Sequence, residues 1–151
     1  MLMHFDFVYA AESTRFQVPF INLALVPELG SSYTLPRQNG YLQAAELIFL
    51  GEPISAAHAN ELGLVTAVIA DQDVMAKANE TATKLAQKPS GALRASKRLM
   101  KDSDREDLKQ AVVREVGEFA VRVRSADARE AFDAFLAKRK PDFCRTKAKA
   151  S

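Results

Sequence analysis

The sequence predicts an α/β protein that is mostly helical and has only a few strands. Two short apolar runs, residues 5–9 and 64–70, are rich in branched and aromatic side chains, which favours buried strands. Most of the second half instead repeats its apolar residues at helical spacing. A chain of 151 residues, 48% of them hydrophobic, is long enough to bury one core.

The first part of the chain, residues 1–70, is predicted to alternate strands, loops and short helices. Ser31 and Ser32 offer N-caps to one helix, and Gly51 is placed to end the next as a C-terminal cap. Because there are so few strands, some of their backbone N–H and C=O groups lack partners. We therefore expect the N-terminal edge of the sheet to be truncated. In order, the predicted elements are a strand at 5–9, a turn at 12–14, strand and loop over 16–30, a helix from Ser31, a helix at 41–50, a short helix at 53–63 and a strand at 64–70.

Residues 71–143 are predicted to form a helical region that mediates oligomerisation. Pro89 stops a helix at 72–88, a capping box of Ser103 and Glu106 starts a long helix, and a last helix at 126–139 ends before Pro141. Its two final helices present more apolar surface than a small sheet can cover, which favours a homo-oligomer. The predicted buried stripes are Leu108, Val112, Val116, Phe119 and Val123 in the long helix, and Ala128, Ala131, Phe132, Phe135 and Leu136 in the last.

Composition and charge argue against several classes of protein. The net charge of +2 arises from 21 basic and 19 acidic residues that are mixed along most of the chain, so nucleic acid is not an expected partner. No apolar run reaches membrane-spanning length, and the lone Cys144 indicates a reducing compartment, so we expect a soluble, cytoplasmic protein. His4 and His58 lack partners at metal-ligand spacing, and no metal or separate cofactor is expected. Residues 144–151 are small and basic, and are predicted to be disordered.

Short motifs along the chain resemble the crotonase (enoyl-CoA hydratase/isomerase) superfamily in order and spacing. The resemblance covers residues 5–143 and implies the C-terminal portion of a crotonase-type spiral fold, followed by helices that build a homotrimer or a hexamer. It also implies an acyl-CoA substrate and an oxyanion hole that lies upstream of residue 1. The matching residues are Asp6-Phe7-Val8-Tyr9-Ala10, Phe16, Pro19-Phe20, Leu25-Val26-Pro27-Glu28, Gly30-Ser31-Ser32, Leu35-Pro36-Arg37, Gly40, Ala45-Glu46-Leu47, Gly51-Glu52, Ala56 and Gly63-Leu64-Val65.

Within the superfamily, the chain resembles delta-3,delta-2-enoyl-CoA isomerases more than hydratases. Hydratases have a glutamate where this chain has Phe20, which can neither accept nor donate a proton. The resemblance implies that Glu28 is the catalytic proton shuttle. Many relatives have glycine after this acid, whereas this chain has Leu29, a departure expected to affect the backbone beside the site. The residues alone instead favour an acid that stabilises a helix N-terminus, and the resemblance reverses this preference.

Five residues are predicted to bind substrate. Phe20, Leu25 and Leu29 are expected to form an apolar pocket around Glu28. Phe135 and Lys138 are expected to contact the nucleotide end of coenzyme A, as C-terminal aromatic and basic residues do in some relatives. The alternative for this pair is a core stripe and a solvated helix end.

Three functions remain open on the sequence. The first is an enoyl-CoA isomerase of fatty-acid metabolism, present here as a fragment without its oxyanion hole. The second is a hydratase of the same family or a non-catalytic module for acyl-CoA binding or oligomerisation. The third, RNA binding by the basic C-terminus, conflicts with the balanced charge.

Overall fold

Helices dominate the computed structural model, which describes residues 1–144. The α/β class with few strands is confirmed. The strands are β1 (Tyr9–Ala11), β2 (Arg15–Phe16), β3 (Ile54–Ser55) and β4 (Ala67–Ile69). The α-helices are α1 (Ser31–Asn39), α2 (Tyr41–Leu50), α3 (Ala56–Glu61), α4 (Val74–Ala86), α5 (Ser90–Asp102), α6 (Arg105–Arg122) and α7 (Ala126–Leu136).

The chain folds into two compact units, each built from two separate stretches of sequence. The first unit contains residues 1–16 and 53–110. The second contains residues 17–52 and the described residues from 111 onward. The predicted disordered tail lies outside the described residues, apart from Cys144, which is exposed.

A parallel strand pair organises the first unit. Strand β1 pairs with β4 so that Tyr9 lies opposite Ala67, and the pairing is extended by a hydrogen bond of 2.7 Å from Thr66 N–H to the Val8 carbonyl. The predicted strand at 5–9 is therefore placed too early. Residues 2–4 form a 3₁₀ turn, and backbone pairing with the β4 side begins only at Val8, which bonds to Thr66.

The antiparallel pair β2–β3 corrects the start of the short helix predicted at 53–63. Ile54 pairs with Phe16, so these residues are strand, and the Ser55 hydroxyl then accepts the His58 N–H to cap α3. The core of this unit consists of small and branched side chains from β1, α3 and the segment after α3. They are Ala10, Ala56, Ala59 and Val65.

Helix α5 was not predicted. Pro89 ends α4 and also lies immediately before the first residue of α5, so one proline marks two helix boundaries. Lys97 of α5 forms an ion pair with Asp6 that, with nearby Lys101, lowers the pKa of the Asp6 carboxyl group. Helix α4 lies within its predicted range and contacts β1, where the Tyr9 and Thr81 hydroxyls are 2.8 Å apart.

Glycines separate the helices of the second unit. Gly40 alone divides α1 from α2, and Gly51 ends α2 in a left-handed conformation, as predicted. The side-chain amides of Gln17 and Asn22 both donate to the Gly51 carbonyl at 2.7 Å. A Cβ at Gly51 would lie 2.9 Å from the Asn22 amide nitrogen, so a side chain there would disturb this clamp on the segment before α1.

The buried faces of α6 and α7 differ from the predicted stripes. In α6 the buried residues are Ala111 and Glu115, whereas Val116, and Val123 just after the helix, are exposed. In α7 the predicted Ala128 and Ala131 are buried together with Ala134, whereas Phe135 and Leu136 are exposed. Apolar spacing therefore predicted both helices and part of the buried face of α7, but not the exposure of the larger side chains at its end. Within residues 1–144, no helix combines the length and apolarity needed to cross a membrane.

Candidate active site

The segment between β2 and α1 carries four of the six predicted site residues. After Pro19, residues 21–23 form a single 3₁₀ turn, and Ala24 adopts a left-handed φ of 54°. The Phe20 carbonyl accepts the N–H of Leu25 at 2.8 Å, which closes the loop. Phe20 is partly buried, and Leu25 is buried. Short-range backbone bonds therefore fix this loop.

Glu28 lies three residues before α1 and is partly buried. Its backbone carbonyl accepts the N–H of Ser31 at 3.1 Å and the Ser31 hydroxyl at 2.7 Å. Among residues 1–144, its carboxylate has neither a hydrogen-bond partner nor an ion-pair partner. It is also the only carboxylate in residues 17–45. The local geometry thus holds the Glu28 backbone and leaves its side chain available.

A second glutamate, Glu115 of α6, caps the N-terminus of α1. Its carboxylate accepts the Gly30 N–H at 2.6 Å, the Ser32 N–H at 2.8 Å and the Ser32 hydroxyl at 2.5 Å. The prediction that Ser31 and Ser32 supply the caps is wrong, because the Ser31 hydroxyl turns back to Glu28 and the Ser32 hydroxyl donates to Glu115. A carboxylate satisfies two free N–H groups at once and complements the positive end of the helix.

Leu29 adopts the left-handed conformation that glycine usually provides. Its φ is 57°, and the following Gly30 has a φ of 73°. The departure from glycine therefore leaves a glycine-like backbone in place, with strain of roughly 1–2 kcal/mol expected for a residue that carries a Cβ. Leu29 is 47% exposed, so burial of its side chain compensates only in part.

Replacing Leu29 by glycine is expected to relieve this strain. We expect Leu29→Gly to have a free energy of unfolding about 1 kcal/mol higher than that of Leu29→Ala, since both lose the leucine side chain but only alanine keeps the Cβ. Chemical denaturation of the two variants measures the difference. An alanine variant as stable as the glycine variant would mean that the left-handed turn carries no strain.

An open cleft of about 470 Å³ lies in the second unit, and Leu25 is among its lining residues. The lining runs along the chain to Val26, two residues before Glu28. The cleft combines apolar walls with charged side chains from α6 and α7. Its lining residues are Ile21, Ala24, Leu25, Val26, Glu118, Arg122, Asp127 and Phe143. Of the predicted substrate-binding residues, only Leu25 lines this cleft.

Phe135 and Lys138 lie together at the end of α7. The Lys138 N–H donates to the Phe135 carbonyl at 3.1 Å, and the Arg139 N–H donates to Ala134 at 3.0 Å. These bonds and the left-handed φ of 52° at Lys138 form a Schellman cap. Phe135 is 72% exposed, so its alternative role in a core stripe is wrong. Helix α7 contacts the 3₁₀ turn that follows Phe20.

Sequence reasoning missed Glu115. The one available signal was its spacing, because residues 108, 111, 115 and 119 recur at helical intervals and Glu115 lies within that face. Among residues 1–144, no group of three or more His, Cys, Asp or Glu side chains is arranged to hold a metal ion.

Comparisons with known proteins agree with this fold. A family profile described as enoyl-CoA hydratase/isomerase matches residues 1–146. The chain is 36% identical over 138 residues to the 1,2-epoxyphenylacetyl-CoA isomerase of Escherichia coli (strain K12), a match that covers 91% of this chain and 53% of that protein. It is 36% identical over 135 residues to a probable enoyl-CoA hydratase of Bacillus subtilis (strain 168), covering 89% of this chain and 52% of that protein.

A solved structure has the same fold. The enoyl-CoA hydratase/isomerase of Pseudoalteromonas atlantica T6c superposes with a TM-score of 0.89 at 36% identity, covering 93% of this chain and 57% of that one. The chain thus spans about half the length of the relatives it matches. The long sequence match and the shared fold place it in the crotonase superfamily, and the chain belongs to the enoyl-CoA hydratase/isomerase family.

Proposed function

We propose that the chain contributes the acid–base residue of an enoyl-CoA isomerase, with Glu28 as the proton shuttle. The reaction moves the double bond of an acyl-CoA thioester from C3–C4 to C2–C3. The Glu28 carboxylate removes a proton from C2, and the resulting dienolate takes that proton back at C4. One base that reaches both carbons therefore completes both steps, and neither water nor an additional cofactor is consumed.

The observation that carries the proposal is the separation of roles between two glutamates. Without the family resemblance, the sequence favours Glu28 as the acid that stabilises the start of α1. That position is held by Glu115, whose carboxylate accepts both backbone N–H groups. Glu28 is left partly buried and without a partner among the described residues, as a residue that exchanges protons with a substrate requires.

Phe20 favours isomerisation over hydration. Hydration needs a second acid–base group to position and activate water. Phenylalanine supplies none, and residues 17–45 contain no carboxylate other than Glu28. The names of the relatives do not decide between the two reactions, since one is a 1,2-epoxyphenylacetyl-CoA isomerase and another a probable enoyl-CoA hydratase, so the choice rests on Phe20.

Substrate contacts in this proposal come from both stretches of sequence that build the second unit. Leu25 lines the cleft of the second unit, and Phe20 and Leu29 lie on the same loop as Leu25 and Glu28. Phe135, whose ring is exposed, and Lys138 both belong to the Schellman cap at the end of α7, and an aromatic ring and an ammonium group suit an adenine ring and a phosphate. The exposed apolar side chains of α6 and α7 favour a homo-oligomer, which the family resemblance implies is a homotrimer or a hexamer.

The proposal needs N–H donors that stabilise the dienolate oxygen, each worth roughly 2.7–4 kcal/mol in comparable sites. In this proposal they come from residues outside the chain. The activity is therefore tested in the extended protein, by which we mean this chain preceded by the N-terminal half of the E. coli relative.

The extended protein is expected to isomerise 3-hexenoyl-CoA about 10²-fold or more faster than it hydrates 2-hexenoyl-CoA, because a second acid–base group is missing. Spectrophotometric rates for both substrates measure the ratio. Phe20→Glu is the matched variant, and it should raise hydration relative to isomerisation. Equal rates of both reactions in the unaltered protein would exclude the isomerase assignment.

A further inference from the structure

We infer that Glu115 is a positioning residue that fixes the turn carrying Glu28, an inference that rests on the proposed function of Glu28. Glu115 is 6% exposed and lies more than 80 residues away in sequence, in the middle of α6. Its carboxylate binds Gly30 and Ser32, on the far side of Leu29 from Glu28 in the sequence. Its role is to hold the backbone on which the Glu28 side chain is mounted.

The hydrogen bonds of Glu115 hold two residues, Gly30 and Ser32, that follow Glu28 closely in the sequence. It binds the N–H groups of Gly30 and Ser32 and the Ser32 hydroxyl. The Gly30 N–H belongs to the peptide group that follows Leu29, the strained left-handed residue next to Glu28. Strained backbone persists only where its surroundings fix it, and these hydrogen bonds supply that constraint.

The charge of Glu115 matters as well as its shape. Both oxygens accept hydrogen bonds from backbone donors at 2.6 and 2.8 Å. A glutamine has one acceptor oxygen and turns an NH₂ group toward the other backbone donor, where two donors repel. Glu115→Gln therefore releases one of the two N–H groups while it preserves the side-chain volume. Relaxation of Leu29 would then shift Glu28 relative to the reacting carbons.

Displacement of a catalytic group by about 1 Å costs on the order of 10²-fold in rate. In the extended protein, we expect Glu115→Gln to lower kcat for 3-hexenoyl-CoA by about that factor while KM changes little. Ser32→Ala removes one hydrogen bond and keeps both backbone bonds, so it should lower kcat by only about 3- to 10-fold. Glu106→Gln, on the exposed side of α6, is the charge control and should leave kcat unchanged.

Thermal unfolding of each variant accompanies the kinetics. A folded Glu115→Gln variant with kcat within about 3-fold of the unaltered protein overturns the inference. A rise in KM of about 10²-fold with kcat unchanged also overturns it. Should Glu115→Gln not fold, Ser32→Ala decides, because an unchanged kcat in that variant also overturns it. The proposed function has its own test: it is wrong if the Glu28→Gln variant turns over 3-hexenoyl-CoA as fast as the unaltered protein does. If Glu28→Gln is inactive while Glu115→Gln is fully active, the positioning role of Glu115 is rejected and the proposed function of Glu28 is not.

Discussion

Replacing Glu28 by glutamine in the extended protein is expected to lower the turnover of 3-hexenoyl-CoA by about 10²- to 10⁴-fold, the usual contribution of a positioned acid–base group. The amide is nearly isosteric with the carboxylate but cannot take the proton from C2. Its effect on stability should be small, because the Glu28 side chain makes no hydrogen bond or ion pair within residues 1–144. The assay follows the absorbance of the conjugated product.

The matched control for this variant is Glu46→Gln. Glu46 is exposed on α2 and belongs to the same unit, so the substitution removes one charge without touching the proposed site. Its turnover should stay within about 2-fold, since isolated surface charges contribute little. If Glu28→Gln were as active as Glu46→Gln, another residue would have to carry the proton.

Helix positions were largely predictable from the sequence, because local signals determine them. Gly51 ends α2 and a proline follows α4, as predicted. The first strand was misplaced because strand boundaries depend on a partner, and β4 lies more than 50 residues away. Helix α5 was missed because Pro89 was interpreted only as a stop signal.

Which face of a helix is buried could not be read from apolar spacing alone. Phe135 and Leu136 extend the apolar stripe of α7, yet in this chain the alanines pack and the larger side chains are exposed. The face of α7 that packs against the rest of the second unit is the one that carries the small side chains of Ala128, Ala131 and Ala134. Periodicity identifies an amphipathic helix, but the fold decides which part of the stripe it covers.

In the candidate site, too, features with a local signal could be predicted and features that depend on distant residues could not. Glu28 is proposed from its motif, which is local and specific. Glu115 was not predicted, because a buried carboxylate is justified only by its partners, and Gly30 and Ser32 are 85 and 83 residues away. The left-handed turn at Leu29 was equally hidden, since leucine rarely adopts this conformation. Features that arise from long-range contacts or strain require the structure.

The largest expected effect concerns the chain on its own. The dienolate forms at low cost only where fixed N–H donors meet its oxygen, and each such donor contributes about 10²- to 10³-fold. A base without them must form the anion at close to its cost in water. With two donors acting independently, we expect the extended protein to exceed residues 1–151 by roughly 10⁴- to 10⁶-fold in turnover of 3-hexenoyl-CoA.

The same assay is applied to the chain alone, to the extended protein and to its Glu28→Gln variant. The N-terminal half of the E. coli relative, assayed by itself, controls for activity that does not need this chain. We expect the two halves to be silent apart and active when joined, because the carboxylate and the oxyanion donors must act on one substrate. Substantial turnover by residues 1–151 alone would contradict this mechanism, since the chain would then have to supply its own donors for the developing anion.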